Sequence, residues 1–232
     1  MLEIVHDLAP GAQLLFANYD TSLAFEQAVD SLSSNADVVV DDISFHTPPY
    51  DGTSDVSANT ATNLNTDANP IRGYFTAVAN QAFDHWGEPF TDSGVNLRLA
   101  CDSVGDVQLF QATANTTDFN NLGLSLFNPF SLPNGWTVGV FLTWDDPFSG
   151  SSNYYDLYLY LISNGNLAAP LAVSCFPNNG VPPAETVTYT NTSGAMQAVG
   201  IVIQNINNTS AAKNFDSCTC GRCAGTLLNH WG

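Results

Sequence analysis

The side chains of this sequence that could do chemistry fall into four groups, and the first is a single amide. The run Tyr74-Phe75-Thr76-Ala77-Val78-Ala79-Asn80 is uncharged and mostly apolar, and it ends on a polar side chain ahead of an irregular segment. A buried strand that delivers one amide to its own C-terminal end has this pattern. In a parallel α/β sheet that end is where sites lie, and an Asn there can donate a hydrogen bond to a developing oxyanion. The same Asn also reads as a turn former closing a core strand. Asp145, Asp146 and Asp156 form the second group, hard carboxylate oxygens that suit calcium at one end of a β domain. Asp145-Asp146-Pro147 is equally good turn chemistry, because Asp caps its own backbone and Pro fixes φ. Ser54, His46 and Asp42 form the third, since a Ser nucleophile needs a base within reach and that base needs an orienting acid. Three such residues in one loop region also describe a hydrated turn. The fourth is Cys218, Cys220 and Cys223, whose spacing needs His230 or another donor to complete a tetrahedral metal site. The chain has five cysteines, so at least one lies outside any pairing within it, and disulfides or idle thiols are the alternative to metal.

These residues must be positioned by elements that the apolar spacing outlines. Leu2, Val5 and Leu8 share a helical face that Pro10-Gly11 ends, ahead of an apolar, strand-like run Leu14 to Ala17. Phe25, Ala28, Val29 and Leu32 recur at helical spacing before the β-branched run Val38-Val39-Val40, which completes a strand, helix, strand unit. Residues from about Asp55 to Ala68 read as a weak helix before the strand that ends at Asn80. Continuous apolar strands alternating with helices imply a parallel sheet covered on both faces. Beyond about Val95 the pattern changes to strand-like runs: Val95 to Cys101, Val107 to Ala112, Trp136 to Trp144, Tyr155 to Leu161, Leu171 to Cys175, Glu185 to Thr190 and Ala198 to Gln204. Turn clusters such as Pro133-Asn134-Gly135 and Ser163-Asn164-Gly165 bracket them. This predicts an antiparallel sandwich. The expected fold class is therefore α/β, a partial parallel sheet with flanking helices, joined to an all-β sandwich.

Composition narrows the partners. Four basic residues stand against 22 acidic ones, and the net charge of -18 speaks against nucleic acid or an anionic membrane surface. Only 11% of residues are charged, while Asn, Thr and Ser are frequent, a neutral polar surface that points outside the cell. No apolar run of about 18 residues exists to span a membrane. Met1 to Asp7 has neither a basic region nor a cleavage site, so it reads as the inside of a helix rather than a signal peptide. Asn115, Asn191, Asn207 and Asn208 lie in glycosylation sequons, which matter in a eukaryotic secretory pathway.

Three stretches carry a resemblance: Met1 to Ala12 with its Ala9-Pro10-Gly11 turn, Ala36 to Ser44, and Phe75 to Asn80. In order and spacing they resemble the subtilisin-like serine peptidase family over about the first 85 residues. The resemblance implies that Asn80 is the oxyanion donor and that Asp42, Ile43 and Ser44 are the cleft strand that pairs with a peptide or protein substrate. It requires no cofactor. The second half resembles the β-sandwich modules of secreted bacterial peptidases, through Thr143 to Phe148 and Tyr155 to Leu159. The implied layout is a partial α/β domain over 1–94, a jelly-roll-like sandwich insert over 95–212 and a returning segment over 213–232. The departures are specific. The family's Gly-Thr-Ser-x-Ala-x-Pro nucleophile motif is absent, the base belongs upstream of Met1, Ala79 stands where the family has Gly, and Gln81 interrupts the pattern that follows the Asn. Gly52-Thr53-Ser54 precedes the oxyanion strand and so has the wrong order. The resemblance thus describes a central fragment that is inactive alone and, with part of its sheet uncovered, prone to self-association. The alternative is a non-catalytic extracellular binding protein whose sandwich recognises protein, carbohydrate or calcium.

Overall fold

The computed structural model describes residues 2–43, 45, 52–77, 85–101, 104–110, 127–148, 150–175 and 182–221, with backbone alone for His85, Asn128 and 218–221. Contacts divide the chain into two units, the first built from Met1–Ser44, Ser54–Ala79 and Leu227–Gly232, the second from Phe45–Thr53 and Asn80–Thr226. Among the described residues the architecture is mixed: three helices and a two-stranded parallel sheet in the first unit, and antiparallel sheets of four and six strands in the second.

In the first unit, α1 (Leu2–Leu8) has no buried residue and ends at the turn in which Ala12 N–H reaches Ala9 O. The run Leu14 to Ala17 is irregular rather than a strand. Helix α2 (Ser22–Ser33) starts where the Thr21 hydroxyl accepts the Ala24 N–H, at 3.0 Å, and it buries Phe25 and Val29. Strand β1 (Val38–Asp41) is joined through α3 (Asp55–Leu64) to β2 (Gly73–Thr76), and the two strands pair in parallel with Asp41 opposite Thr76. The strand, helix, strand unit is therefore β1–α3–β2, one step later than the apolar runs predict. Side-chain amides tie the helices together: Asn63 Nδ2 donates to Asp30 Oδ1 at 2.7 Å, and Asn59 Nδ2 to Glu26 O at 3.1 Å. Alternation along β1 buries Val39 and turns Val38 and Val40 outward.

Among the described residues the second unit has ten strands. They are β3 (His85–Pro89), β4 (Asp92–Arg98), β5 (Val104–Gln108), β6 (Asn128–Leu132), β7 (Thr137–Trp144), β8 (Tyr155–Ser163), β9 (Asn166–Ser174), β10 (Ala184–Thr190), β11 (Gln197–Ile206) and β12 (Asn214–Gly221). One sheet runs β10-β7-β12-β3 and the other β4-β5-β11-β8-β9, with β6 sharing an edge of β11 with β5. Because β3 and β7 flank β12, the β unit begins before residue 95 and continues past 212, so the expected 94/95 and 212/213 boundaries both move outward.

Alternate residues of β7, β8 and β11 place Val138, Val140, Leu142, Trp144, Leu157, Leu159, Ile201 and Ile203 in one core shared by both sheets. Aromatic rings thicken it at one end, with Tyr155 5.3 Å from Trp144 and 4.8 Å from Phe215. The other face of β8 carries Tyr158, Tyr160 and Ile162 into a second core with Val107, Val202 and Phe127. Gly200 makes this layer possible, since a Cβ there would lie 2.8 Å from the Phe127 ring and 2.9 Å from Ile162 Cδ1. The hairpin β8–β9 turns through Asn164 and Gly165, both with positive φ, as their Asn-Gly pairing predicts. Asn191 is fully buried: its amide donates to Leu132 O and Ala195 O, and its Oδ1 accepts the Ser193 N–H.

Candidate functional site

Three places gather polar groups whose chemistry could matter. The first is the C-terminal end of the parallel pair. Asp41 Oδ1 accepts the Ile43 N–H at 3.2 Å and the Thr76 hydroxyl at 2.7 Å, so one carboxylate fastens the end of β1 to the end of β2. The Tyr74 hydroxyl is driven up in pKa by burial and by its hydrogen bond to the same carboxylate. Asp42 is exposed and Ile43 half-buried just past this clamp. Ser44 and Asn80 lie outside the described residues, as does His46. Ser54 is accounted for: it is buried, it caps α3 by accepting the Ser57 N–H at 3.2 Å, and its own hydroxyl donates to Ser57 Oγ at 2.9 Å. A serine held this way is a helix cap rather than a nucleophile aimed at a base.

The second place is the turn after β7. Asp146 is buried, and Lys213 Nζ lies 2.6 Å from its Oδ1. Ser151 Oγ donates to Oδ2 at 2.6 Å, Asn153 Nδ2 reaches both oxygens, and the Trp144 indole points at Oδ2 from 3.3 Å. Burial raises the pKa of this carboxyl, but the hydrogen bonds from Lys213, Ser151 and Asn153 and the Lys213 charge outweigh it and bring it down to about 2. Asp145 Oδ1 and Oδ2 take the Asn214 backbone and side-chain N–H groups, at 3.0 and 2.8 Å. Asp156 is elsewhere, on the outer face of β8, accepting from the Tyr158 hydroxyl at 2.8 Å. Among the described residues Asp145, Asp146 and Asp156 form no common ligand group. The expected calcium trio is corrected accordingly: an ammonium already occupies the Asp145–Asp146 end, and the third carboxylate faces a different layer.

The third place is where Asp156 does sit. Cys101 and Cys175 form a disulfide across a sequence separation of 74, and their sulfurs and an Asp156 oxygen lie within 4.8 Å of one another. A cavity of about 410 Å³ opens beside them, bounded also by Tyr154, Ile206, Asn207 and Thr209. The bond answers part of the cysteine question. Cys218 and Cys220 belong to β12 by backbone, and the Cys218–Cys220–Cys223 side chains and His230 are outside the described residues. A disulfide of this kind is consistent with an oxidising, extracellular setting. Among the described residues no helix is long and apolar enough to cross a membrane. Trp86 packs on Phe110 and Phe215 in the β core.

Sequence reasoning passed over Asp41, Thr76 and Lys213. Asp41 stood in plain view beside Asp42, at the predicted end of the strand. Lys213 had only the signal that it is one of four basic residues in the chain. Neither a protein-family model nor a curated protein sequence matches the chain.

Proposed function

We propose that this chain is the central part of a secreted subtilisin-like serine endopeptidase, comprising the strand that lines the substrate cleft, the strand that leads to an oxyanion donor, and an inserted jelly-roll-like sandwich. The observation that carries the reading is the parallel pair β1–β2, whose C-terminal ends are held side by side by Asp41. Sites of α/β sheets form at that end. In this reading Asp42, Ile43 and Ser44 continue β1 and pair with an extended peptide through main-chain hydrogen bonds. Asn80, four residues beyond the end of β2, donates to the oxyanion of the tetrahedral intermediate, a contact whose loss typically costs about 3 kcal/mol of barrier. The acyl-enzyme itself needs a serine and a base that this sequence does not supply in the family's pattern, and Ser54 is committed to its cap. The chain alone is therefore catalytically incomplete.

The cavity beside Asp156 favours a second reading, a non-catalytic extracellular binding protein that takes its ligand on the sandwich. One pair of measurements separates them. A fluorogenic casein assay should show no turnover, and turnover abolished by Ser54→Ala would overturn both the assignment and the inactivity. Titration with an extended peptide, followed by amide NMR, should shift Ile43 and the Asn80 side-chain amide. Shifts confined to the sandwich would instead establish the binding module.

A further inference from the structure

We infer that reduction of the Cys101–Cys175 disulfide turns this corner of the sandwich into a site for a soft divalent cation of the zinc class, held by two thiolates and the Asp156 carboxylate. The three donors are already gathered within 4.8 Å of one another, from segments far apart in sequence. A tetrahedral site with metal–sulfur bonds of about 2.3 Å separates its two sulfurs by about 3.8 Å. The disulfide Cα atoms stand 5.8 Å apart, so that separation calls for side-chain rotation rather than backbone travel.

Asp156 is better prepared for ligation than an average surface carboxylate. It is 1% exposed, and the Tyr158 hydroxyl donates to its Oδ2 at 2.8 Å. That hydroxyl also lies 2.8 Å from Gln204 Oε1, and Gln204 is pinned by its Nε2 donating to Leu97 O at 2.7 Å. Ligating carboxylates are characteristically oriented by such outer partners. The adjoining cavity of about 410 Å³ has room for a water as fourth ligand. A net charge of -18 favours a cation over an anion at every approach.

The chemistry balances as two steps. A reductant delivers two electrons and the two sulfurs take up two protons; with a phosphine the S–S bond is cleaved, the phosphine becomes its oxide, and water supplies the oxygen and both protons. The cation then displaces both thiol protons as the metal–sulfur bonds form. While the disulfide stands there are no thiolates, so cation binding and the S–S bond exclude each other.

The test uses the full chain with Cys218, Cys220 and Cys223 replaced by Ser, so that only Cys101 and Cys175 can supply sulfur. After reduction with a water-soluble phosphine and its removal without air, cobalt(II) is titrated as a spectroscopic stand-in for zinc. The expected result is one cobalt per chain with a thiolate charge-transfer band, absent from the oxidised protein and erased by zinc. Cys101→Ser should abolish the band. Tyr158→Phe, which removes only the hydroxyl, should weaken binding by about tenfold or more, and Asp156→Asn by at least as much. Near-ultraviolet circular dichroism of the aromatic core reports whether the reduced sandwich stays folded. No band, a band that survives Cys101→Ser, an affinity indifferent to Asp156→Asn, equal binding by the oxidised protein, or loss of the fold on reduction would each overturn the inference.

Discussion

In the sandwich, Val140, Leu142, Tyr155, Leu157, Leu159 and Ile203 have no exposed surface, whereas among the described larger apolar side chains of the α/β unit only Phe25, Val29, Val39 and Ile71 are enclosed and Phe75 is left 62% exposed. The difference follows from how each kind of sheet is covered. Two antiparallel sheets cover one face of each other, and the outer layer over β8 adds a second core. A parallel pair needs cover on both faces, and here one face has α2 while Val38 and Val40 on the other stand 53% and 48% exposed. The sandwich can hold itself together.

The widest gap between the two units should appear on deleting core volume. Trp144→Ala removes a fully enclosed ring and the indole donor to Asp146 and Ser151, and should cost the sandwich about 3–5 kcal/mol in denaturant unfolding. If helical circular dichroism from the α/β unit melts in step with the sandwich, the two are a single cooperative system and the comparison fails. Lys213→Met tests the polar end of the same sandwich, and should cost about 2 kcal/mol or more by leaving Asp146 buried without its cation.

A pH dependence accompanies that ion pair. Asp146 titrates lower in the folded state, about 2 against its ordinary 3.8, so its contribution is complete above 3.8 and is lost as pH falls toward 2. Lys213 is raised above 10.5, chiefly by its hydrogen bond to Asp146, so its contribution holds below 10.5 and fades above it. Acid unfolding followed by tryptophan fluorescence should steepen between those carboxylate values, and Lys213→Met should remove much of that slope.

We propose that the exposed Val38, Val40 and Phe75 face drives self-association of the chain. Phe75→Ser should then weaken association about tenfold in light scattering, the equivalent of one apolar side chain returned to water. A monomer at every concentration would show that the α/β unit needs no further cover. The smallest effect expected is Ser54→Ala, about 1 kcal/mol from the lost α3 cap, read as reduced helix content.

The parts of the fold legible in the sequence are those in which a local rule and the packing agree. Helices α2 and α3 start at Thr21 and Ser54, ordinary capping residues, and β7, β8 and β11 have long apolar runs, those of β8 and β11 filling a core on each face. The strands β3, β6 and β12 were not legible. His85 to Pro89 and Asn128 to Leu132 are short and carry proline, and Asn214 to Gly221 is largely polar, so each is a strand because of what it pairs with. The opposite error occurs at Leu14 to Ala17, an apolar run without strand pairing, where Phe16 is exposed. The polar sites follow the same division. An aspartate is visible in a sequence, but whether it awaits a metal or already holds Lys213 depends on a contact between distant residues.

The burial of Asn191 bears on how this protein can be produced. Its amide is spent on Leu132 O and Ala195 O inside the sandwich, while the sequon asparagines Asn207 and Asn208 sit on an exposed turn. A eukaryotic secretory host glycosylates chains as they emerge, before such an amide is enclosed, and a glycan on Asn191 would leave no room for the β6–β11 end of the sheet to close. A host without N-glycosylation, or a Ser193→Ala variant that removes the sequon while keeping the Asn191 amide, should therefore give the higher yield of folded protein, with a glycan on Asn207 or Asn208 carried harmlessly at the surface.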